Sequence, residues 1–254
     1  TYVITDATKR IIDFATAVVV EDNNVDHTAD VESIDFMFGT VTFKSSYTVT
    51  GTVTITGAYI PSSQICAMNK YSLTQTAEAV DTTDLCVAQS NSGARQYAMG
   101  IKTVGLELSG FYRSNSGFMA TVKDREKLVI DINPDGAGKS ICRGIFVAKS
   151  NKETGKVGNP EEDSVSFSLY VPDNQLMLSP FSWWHANDTT LNAGIKTLIS
   201  AWQNGELVEA RYLEDGATGK QGSALPTSLS LSGGLSTLNE FAVQLKGSGA
   251  VSSV

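Results

Sequence analysis

The chain has 254 residues, of which 41% are hydrophobic, and a formal net charge of −8. This length and apolar content predict a folded protein with a sizeable core. The negative net charge argues against a protein that binds nucleic acid through a basic stripe. No apolar run reaches the roughly 18 to 20 residues of a membrane helix. Thr1 to Arg10 lacks a signal-peptide pattern, so we expect a soluble protein made in the cytoplasm.

The first sixty residues are the acidic part of the chain. They hold eight acidic residues against Lys9, Arg10 and Lys44, a net charge of −5. Ile11 to Val20 is apolar without a clear period, and Glu21 to Asp35 is acidic and loop-like. We predict an acidic N-terminal extension, residues 1–60, in front of a β-rich core, residues 61–254.

The run from Val41 to Tyr59 alternates apolar and polar side chains almost without interruption. Period-2 alternation predicts an extended segment with one buried face, formed by Val41, Phe43, Tyr47, Val49, Val53, Ile55 and Tyr59. At about 3.3 Å per residue, these 19 residues would reach roughly 60 Å. Two arrangements fit this length: a hairpin bent at Gly51, or strands that reach into neighbouring subunits.

Further strands follow in chain order, separated by polar or glycine-rich turns. A polar loop, Gln89 to Gln96, is predicted between the first two. The strands are predicted at 71–85, 101–112, 128–132, 141–147, 165–171, 207–213, 225–231 and 241–245.

One segment has a helical period instead. Its apolar residues recur on a single stripe, and Gly205 can end the helix in the left-handed conformation. The predicted helix covers 189–204, is capped by Asp188 or Thr189, and packs through Leu191, Ile195, Leu198, Ile199 and Trp202.

The sequence contains no convincing catalytic or metal-binding motif. His27 and His185 lie in segments without a nucleophile motif, and the three cysteines have no C-x-x-C spacing. Gly138-Lys139-Ser140 ends like a phosphate loop but lacks the required glycine at 133. We therefore predict a protein that is not an enzyme and has no cofactor or metal.

Three stretches together resemble the major tail tube protein of long-tailed bacteriophages. They are Tyr71 to Tyr112, the helix 189–204 with its following strand to Leu213, and Ala224 to Ala250. The resemblance covers roughly residues 65 to 250 and leaves residues 1–60 outside it.

The resemblance implies a mainly β fold, a sandwich or barrel-like tail tube core with long extended hairpins and one flanking α-helix. It implies a structural virion protein that self-assembles into stacked, hexameric rings, the conduit for genome ejection, with an acidic lumen through which DNA passes without binding. Candidate inter-ring contacts are then Ser92, Arg95, Gln96 and Tyr97, and the face from Val41 to Ile55 becomes a candidate inner sheet. Expected partners are further copies and the tail terminator, tape measure and distal tail proteins, with assembly in the host cytoplasm and no membrane.

A different class of function fits the same alternating strands. A glycan-binding β-sandwich module, such as an adhesin or receptor-binding domain, could use Trp183, Trp184 and nearby loops. A tube subunit would self-associate without a ligand, whereas a glycan-binding module would change its melting temperature with sugar.

Overall fold

The computed structural model describes residues 1–61, 68–84, 86, 93–111, 125–133, 141–154, 162–184, 193–214, 216–234 and 237–253. In this part of the chain the fold is mainly β, as predicted, with one long α-helix. Two compact units divide the chain. The first comprises Thr1–Ala67, Arg113–Asn151 and Phe167–Thr189, and the second comprises Met68–Tyr112, Lys152–Ser166 and Thr190–Val254. The predicted boundary between residues 60 and 61 stays a prediction.

The first unit begins with two three-stranded antiparallel sheets. Their strands are β1 (Tyr2–Val3), β2 (Val19–Asp22), β3 (Val25–Asp26), β4 (Val31–Asp35), β5 (Thr40–Phe43) and β6 (Val53–Thr56). One sheet has the order β1-β5-β4 and the other has the order β3-β2-β6. Both β1 and β6 are therefore edge strands.

Three later strands belong to the same unit. They are β9 (Lys127–Ile132), the first residues of β10 (Ile141–Thr154) and β12 (Phe181–Trp184), and β10 pairs antiparallel with both of the others. β11 (Glu162–Leu169), which belongs to the second unit up to Ser166, alternates buried Val165 and Phe167 with less buried neighbours. The core of the unit contains Ile12, Val20, Val31, Ile34, Phe36, Met37, Phe38, Val41, Phe43 and Ile145.

The prediction of one long extended segment from Val41 to Tyr59 is wrong. β5 and β6 are separate strands in two different sheets, joined by residues 44–52. The alternation nevertheless reflects burial for most of the run, since Val41 and Phe43 are buried and four more of the predicted side chains, Tyr47, Val49, Val53 and Ile55, pack against the same core. Tyr59 remains 48% exposed.

The carboxylate of Asp22 is the physical reason for the break. This side chain is 1% exposed and accepts hydrogen bonds from the Tyr47 hydroxyl (2.8 Å), the Thr50 N–H (2.6 Å) and hydroxyl (3.0 Å), and the Gly51 N–H (2.7 Å). A buried carboxylate needs such donors, and they are supplied by folding the 44–52 connection around it.

The acidic stretch Glu21 to Asp35 was predicted to be loop-like, and this is also wrong. It contains the end of β2, all of β3 and β4, and a two-residue hairpin turn at Asn23-Asn24. Both asparagines have positive φ, at 52° and 64°, as a type I′ turn requires.

The second unit is built on long antiparallel strands, which confirms the expectation of extended hairpins. They are β7 (Met68–Asp81), β8 (Tyr97–Phe111), β13 (Val208–Leu213), β14 (Gly219–Gly234), β15 (Thr237–Gly247) and the short β16 (Ser252–Ser253). β7 pairs with β8 and with the second half of β14, whose first half pairs with β13. β15 pairs with β14 on the side opposite β7.

The predicted helix is present as α1 (Ala193–Asn204), and residues 185–192, including Leu191, lie outside the described residues. Ile199 and Trp202 are buried, and Ile195 and Leu198 are half-buried. Gly205 follows with φ 74°, the left-handed conformation that ends many helices. The Lys102 ammonium of β8 donates to the Gln203 carbonyl (2.7 Å) near this helix end.

We expect Asp22→Asn to destabilise the first unit, because the amide nitrogen cannot replace a carboxylate oxygen as an acceptor. The donors around Asp22, the Thr50 N–H foremost, lower its pKa from 3.8 to about 2. A lowered pKa stabilises the native state above pH 3.8, and this stabilisation is lost as the pH falls through about 2.

Thermal unfolding between pH 2 and 7 tests this expectation. At pH 7 the melting temperature should fall by roughly 5 °C, and the gap to the wild type should shrink towards pH 2. Glu32→Gln, at an exposed acid of β4, is the matched control. Equal melting temperatures for Asp22→Asn and the control at pH 7 would contradict the role of Asp22.

Candidate self-assembly surfaces

The sheet of the second unit has two chemically different faces. One face is apolar and buried, and includes Leu73, Val104, Leu106, Leu108, Leu229 and Leu231, none of which is more than 7% exposed. Because side chains alternate along each strand, their sequence neighbours line the opposite face. That face includes Ser72, Thr74, Thr76, Thr103, Glu107, Ser228, Ser230, Ser232, Glu240 and Gln244.

We call this second surface the hydroxyl face, defined by the ten residues just named. Its rows run across four strands, and one of them joins Thr103, Thr76, Ser228 and Gln244. The hydroxyls of Thr76 and Thr103 lie 2.6 Å apart in a cross-strand hydrogen bond. The charges within the ten are those of two glutamates, and Lys70 and Lys246 continue the same side of β7 and β15, so this side of the sheet is polar with charges of both signs.

One edge of the sheet is formed by β15, an eleven-residue strand. Among the described residues, β15 pairs with β14 alone, so its outer edge faces no other strand. Ala242, Gln244 and Leu245 are exposed along it. Long, open edges of this kind are rare in monomers because their backbone groups invite pairing with another chain.

The predicted loop lies between β7 and β8, and the structure shows how its base is held. Ser92 lies outside the described residues, while Arg95, Gln96 and Tyr97 are placed. The Gln96 N–H donates to the Thr83 hydroxyl (2.8 Å), and the Thr82 N–H donates to the Gln96 carbonyl (2.9 Å). These bonds continue the β7–β8 pairing beyond the two strands.

Residues after β15 hold the same loop from a second direction. The Tyr97 N–H donates to the hydroxyl of buried Ser248 (3.0 Å), and the Gly249 N–H donates to the Arg95 carbonyl (2.8 Å). The Lys246 ammonium lies 4.9 Å from the centre of the Tyr97 ring. The backbone at residues 95–97 is thus fixed by its own chain.

The Arg95 side chain projects from this fixed base. It is 70% exposed and forms an ion pair of 3.3 Å with Asp81, which is 41% exposed. The hydroxyl of Thr83, with smaller contributions from its N–H and from Arg95, lowers the pKa of Asp81. An exposed ion pair of this kind contributes little to stability, so the Arg95 side chain is available for a contact elsewhere.

Other residues that the sequence singled out belong to the first unit. His27 contacts Asp30 (2.9 Å) in the first unit, and His185 lies outside the described residues. Trp183 pairs with Cys142 across β12 and β10 and packs edge-on against Phe181. Trp184 is the last residue of β12, and its side chain is outside the part of the chain that the structure describes.

The described residues contain no group of three or more His, Cys, Asp or Glu side chains placed to hold a metal ion. Within the same ranges, no helix combines the length and apolarity needed to cross a membrane.

No protein-family model matches the chain, and no curated protein matches it. Among solved structures, it is similar to a chain from the tail of an empty gene transfer agent particle with C6 symmetry. The TM-score is 0.38 and the sequence identity is 17%. The match covers 48% of this chain and 85% of that chain. It is also similar to a chain from the virion of a native gene transfer agent particle, with a TM-score of 0.38 and 16% identity, covering 48% and 88%. Scores this low establish no shared function.

We expect Thr83→Val to loosen the base of the loop, because it removes the acceptor for the Gln96 N–H and leaves valine in nearly the same space. One such hydrogen bond corresponds to roughly a 3- to 10-fold change in amide exchange. Hydrogen exchange at Gln96 should accelerate by that factor. Thr83→Ser keeps the hydroxyl and should exchange like the wild type; equal acceleration in both variants would show that the hydroxyl is not the anchor.

Proposed function

We propose that the chain is the ring-forming subunit of a phage-type tail tube. The observation that carries the proposal is the second unit's sheet, which has one buried apolar face, one hydroxyl face and an open edge along β15. Pairing of β15 with the sheet of the next copy would cover that edge. Repeated around a ring, the pairing produces a closed barrel with no open edges.

The hydroxyl face suits the lumen of such a barrel. A conduit for DNA must avoid binding phosphates, and a basic lining would hold them. Glu107 and Glu240 repel phosphate, the surrounding serines and threonines are uncharged, and the two lysines on this side of the sheet, Lys70 and Lys246, lie outside the ten residues of the hydroxyl face. The lining therefore allows DNA to pass without specific binding.

This proposal places the inner sheet on β7, β8, β14 and β15 rather than on the residues from Val41 to Ile55. The apolar side chains of that earlier run pack into the core of the first unit and are not free to line a second sheet. Ring number and stacking follow the sequence resemblance, which implies six copies in each ring. Arg95, projecting from its fixed base, is the proposed contact with the next ring.

The location and the partners of the protein follow from the same proposal. The chain would be a virion component, located in the tail and assembled in the host cytoplasm. Its partners would be other copies of itself, with the tail terminator, tape measure and distal tail proteins at the two ends and inside the tube. Its role would be structural rather than enzymatic.

Two proline variants of β15 test the edge pairing, Val243→Pro and Gln244→Pro. Successive N–H groups of a strand point to opposite sides, so one proline removes a hydrogen bond to β14 and the other removes only an outward N–H. We expect the melting temperature of one variant to fall and that of the other to stay at the wild-type value. The stable variant should no longer assemble, as measured by sedimentation velocity against the wild type.

Each variant thus serves as the control for the other. If the variant that keeps its melting temperature assembles as readily as the wild type, β15 is not the pairing edge and the proposal fails.

Lysines on the hydroxyl face test the lumen assignment. Thr74→Lys with Ala242→Lys adds two charges per copy in one row of that face, since both positions align with Ser230. The assembled double variant should bind duplex DNA at least about tenfold more tightly than wild type at low salt, with a steep loss as salt rises. Filter retention or gel shift measures this.

Ala193→Lys with Ser200→Lys adds the same charge at exposed positions of α1 and is the matched control. Equal DNA binding by the two double variants would contradict the placement of the hydroxyl face in the lumen.

A further inference from the structure

A groove in the first unit lies beside two edge strands. It has a volume of about 220 Å³, and its lining includes Val3 and Thr5 from β1 and the residues after it, and Ile55, Ala58 and Tyr59 from β6 and the residues after it. Lys9 also lines it, with a side chain that is 54% exposed and an ammonium 5.9 Å from the centre of the Tyr59 ring. Most of the lining side chains are apolar, and the cation among them, Lys9, also lies 3.5 Å from the Asp6 carboxylate.

The backbone on both sides of the groove has unused pairing capacity. Ile4 donates to Gly39, so the alternate residues Val3 and Thr5 direct their N–H and C=O groups away from β5. Asn23 donates to Thr52, so Val53 and Ile55 likewise direct theirs away from β2. In the part of the chain that the structure describes, β1 and β6 have no strand on those outer sides. An added strand would therefore find both hydrogen-bonding groups and apolar contacts.

The second unit presents a strand with matching properties. β13 pairs with β14, and no other described strand pairs with its outer edge. Tyr212 is 68% exposed and Leu213 is 40% exposed, although both are large apolar residues. Their side chains lie on opposite sides of the strand, so one of them meets the groove floor in either register.

Charge complementarity favours the same pairing. Glu214 directly follows β13 and is exposed, and it would meet Lys9 at the rim of the groove. Glu209 is already paired with Arg211 (2.8 Å), which leaves Glu214 as the acid of this strand end for the contact.

We propose that β13 of a second copy adds as a strand to the groove between β1 and β6, with Glu214 of that copy paired to Lys9. This is strand addition to an open edge, in which main-chain bonds supply affinity and side-chain pockets supply specificity. The two surfaces differ, so the contact is heterologous and propagates from copy to copy into a ring or a filament. It goes beyond the β15 pairing and gives the first unit a role in assembly.

Cysteine cross-linking tests the contact directly. Ala58→Cys is made in one protein and Tyr212→Cys in another, both with Cys66 and Cys86 changed to serine, and the two are mixed under mild oxidation. We expect a disulfide between positions 58 and 212, identified by mass spectrometry of the linked peptides. Assembly without that link would overturn the contact.

A charge exchange gives a second, independent measurement. Lys9→Glu and Glu214→Lys should each weaken association by roughly two- to fivefold, and the double variant should recover most of the loss. Lys152→Glu makes the same charge change at an exposed lysine outside the groove and should have no effect. Equal losses from Lys9→Glu and Lys152→Glu, or no recovery in the double variant, would overturn the pairing.

The outcomes separate this contact from the tube proposal. If rings form without the 58–212 disulfide, the tube proposal is supported and the contact between β13 and the groove is ruled out. If the 58–212 disulfide forms only in short oligomers that never close, the tube proposal is ruled out and the contact between β13 and the groove is supported. A chain that stays monomeric at every concentration contradicts both the tube proposal and the contact.

Discussion

A sheet with one apolar face and one open edge is the constraint on which the account depends. The apolar face of β7, β8 and β14 is buried within the second unit, so hydrophobic burial is satisfied inside one copy. The backbone edge of β15 is not satisfied in the same way, because no described strand lies beside it. Hydrogen-bonding groups on a long edge favour pairing with another chain. The proposed self-assembly would thus be a consequence of the topology of a single copy.

The loop between β7 and β8 combines a fixed backbone with an exposed side chain. Its base is fixed by Thr83 and Ser248, so a contact made by Arg95 would require little ordering of the backbone. A prearranged loop loses less conformational entropy on binding than a flexible one. The chain therefore places its exposed guanidinium on a rigid support.

Much of the second unit could be predicted from sequence, because its signals are local. Alternation over Leu73 to Ala77 and over Val104 to Leu108 indicates strands with one buried face, and the stripe ending at Trp202 indicates the helix. What the sequence could not supply was the pairing order. That β14 meets β13 with one half and β7 with the other depends on contacts far apart in the chain.

The first unit was predicted less well, and Asp22 explains why. Its carboxylate folds a connection that begins 22 residues later in the chain, which overrides the alternation around Thr50 and separates β5 from β6. Period alone carries no information about such a distant acceptor. The Asn23-Asn24 turn, by contrast, was a local signal: two residues that tolerate positive φ between short β-prone runs. It could have identified the hairpin within the acidic stretch.

Electron microscopy of the purified, concentrated chain tests the central claim most directly. The account predicts closed rings or stacked tubes with a central channel, in which β15 of each copy lies against the sheet of the next. Dispersed single copies at all concentrations and salt conditions, or assemblies in which β15 faces solvent, would contradict it.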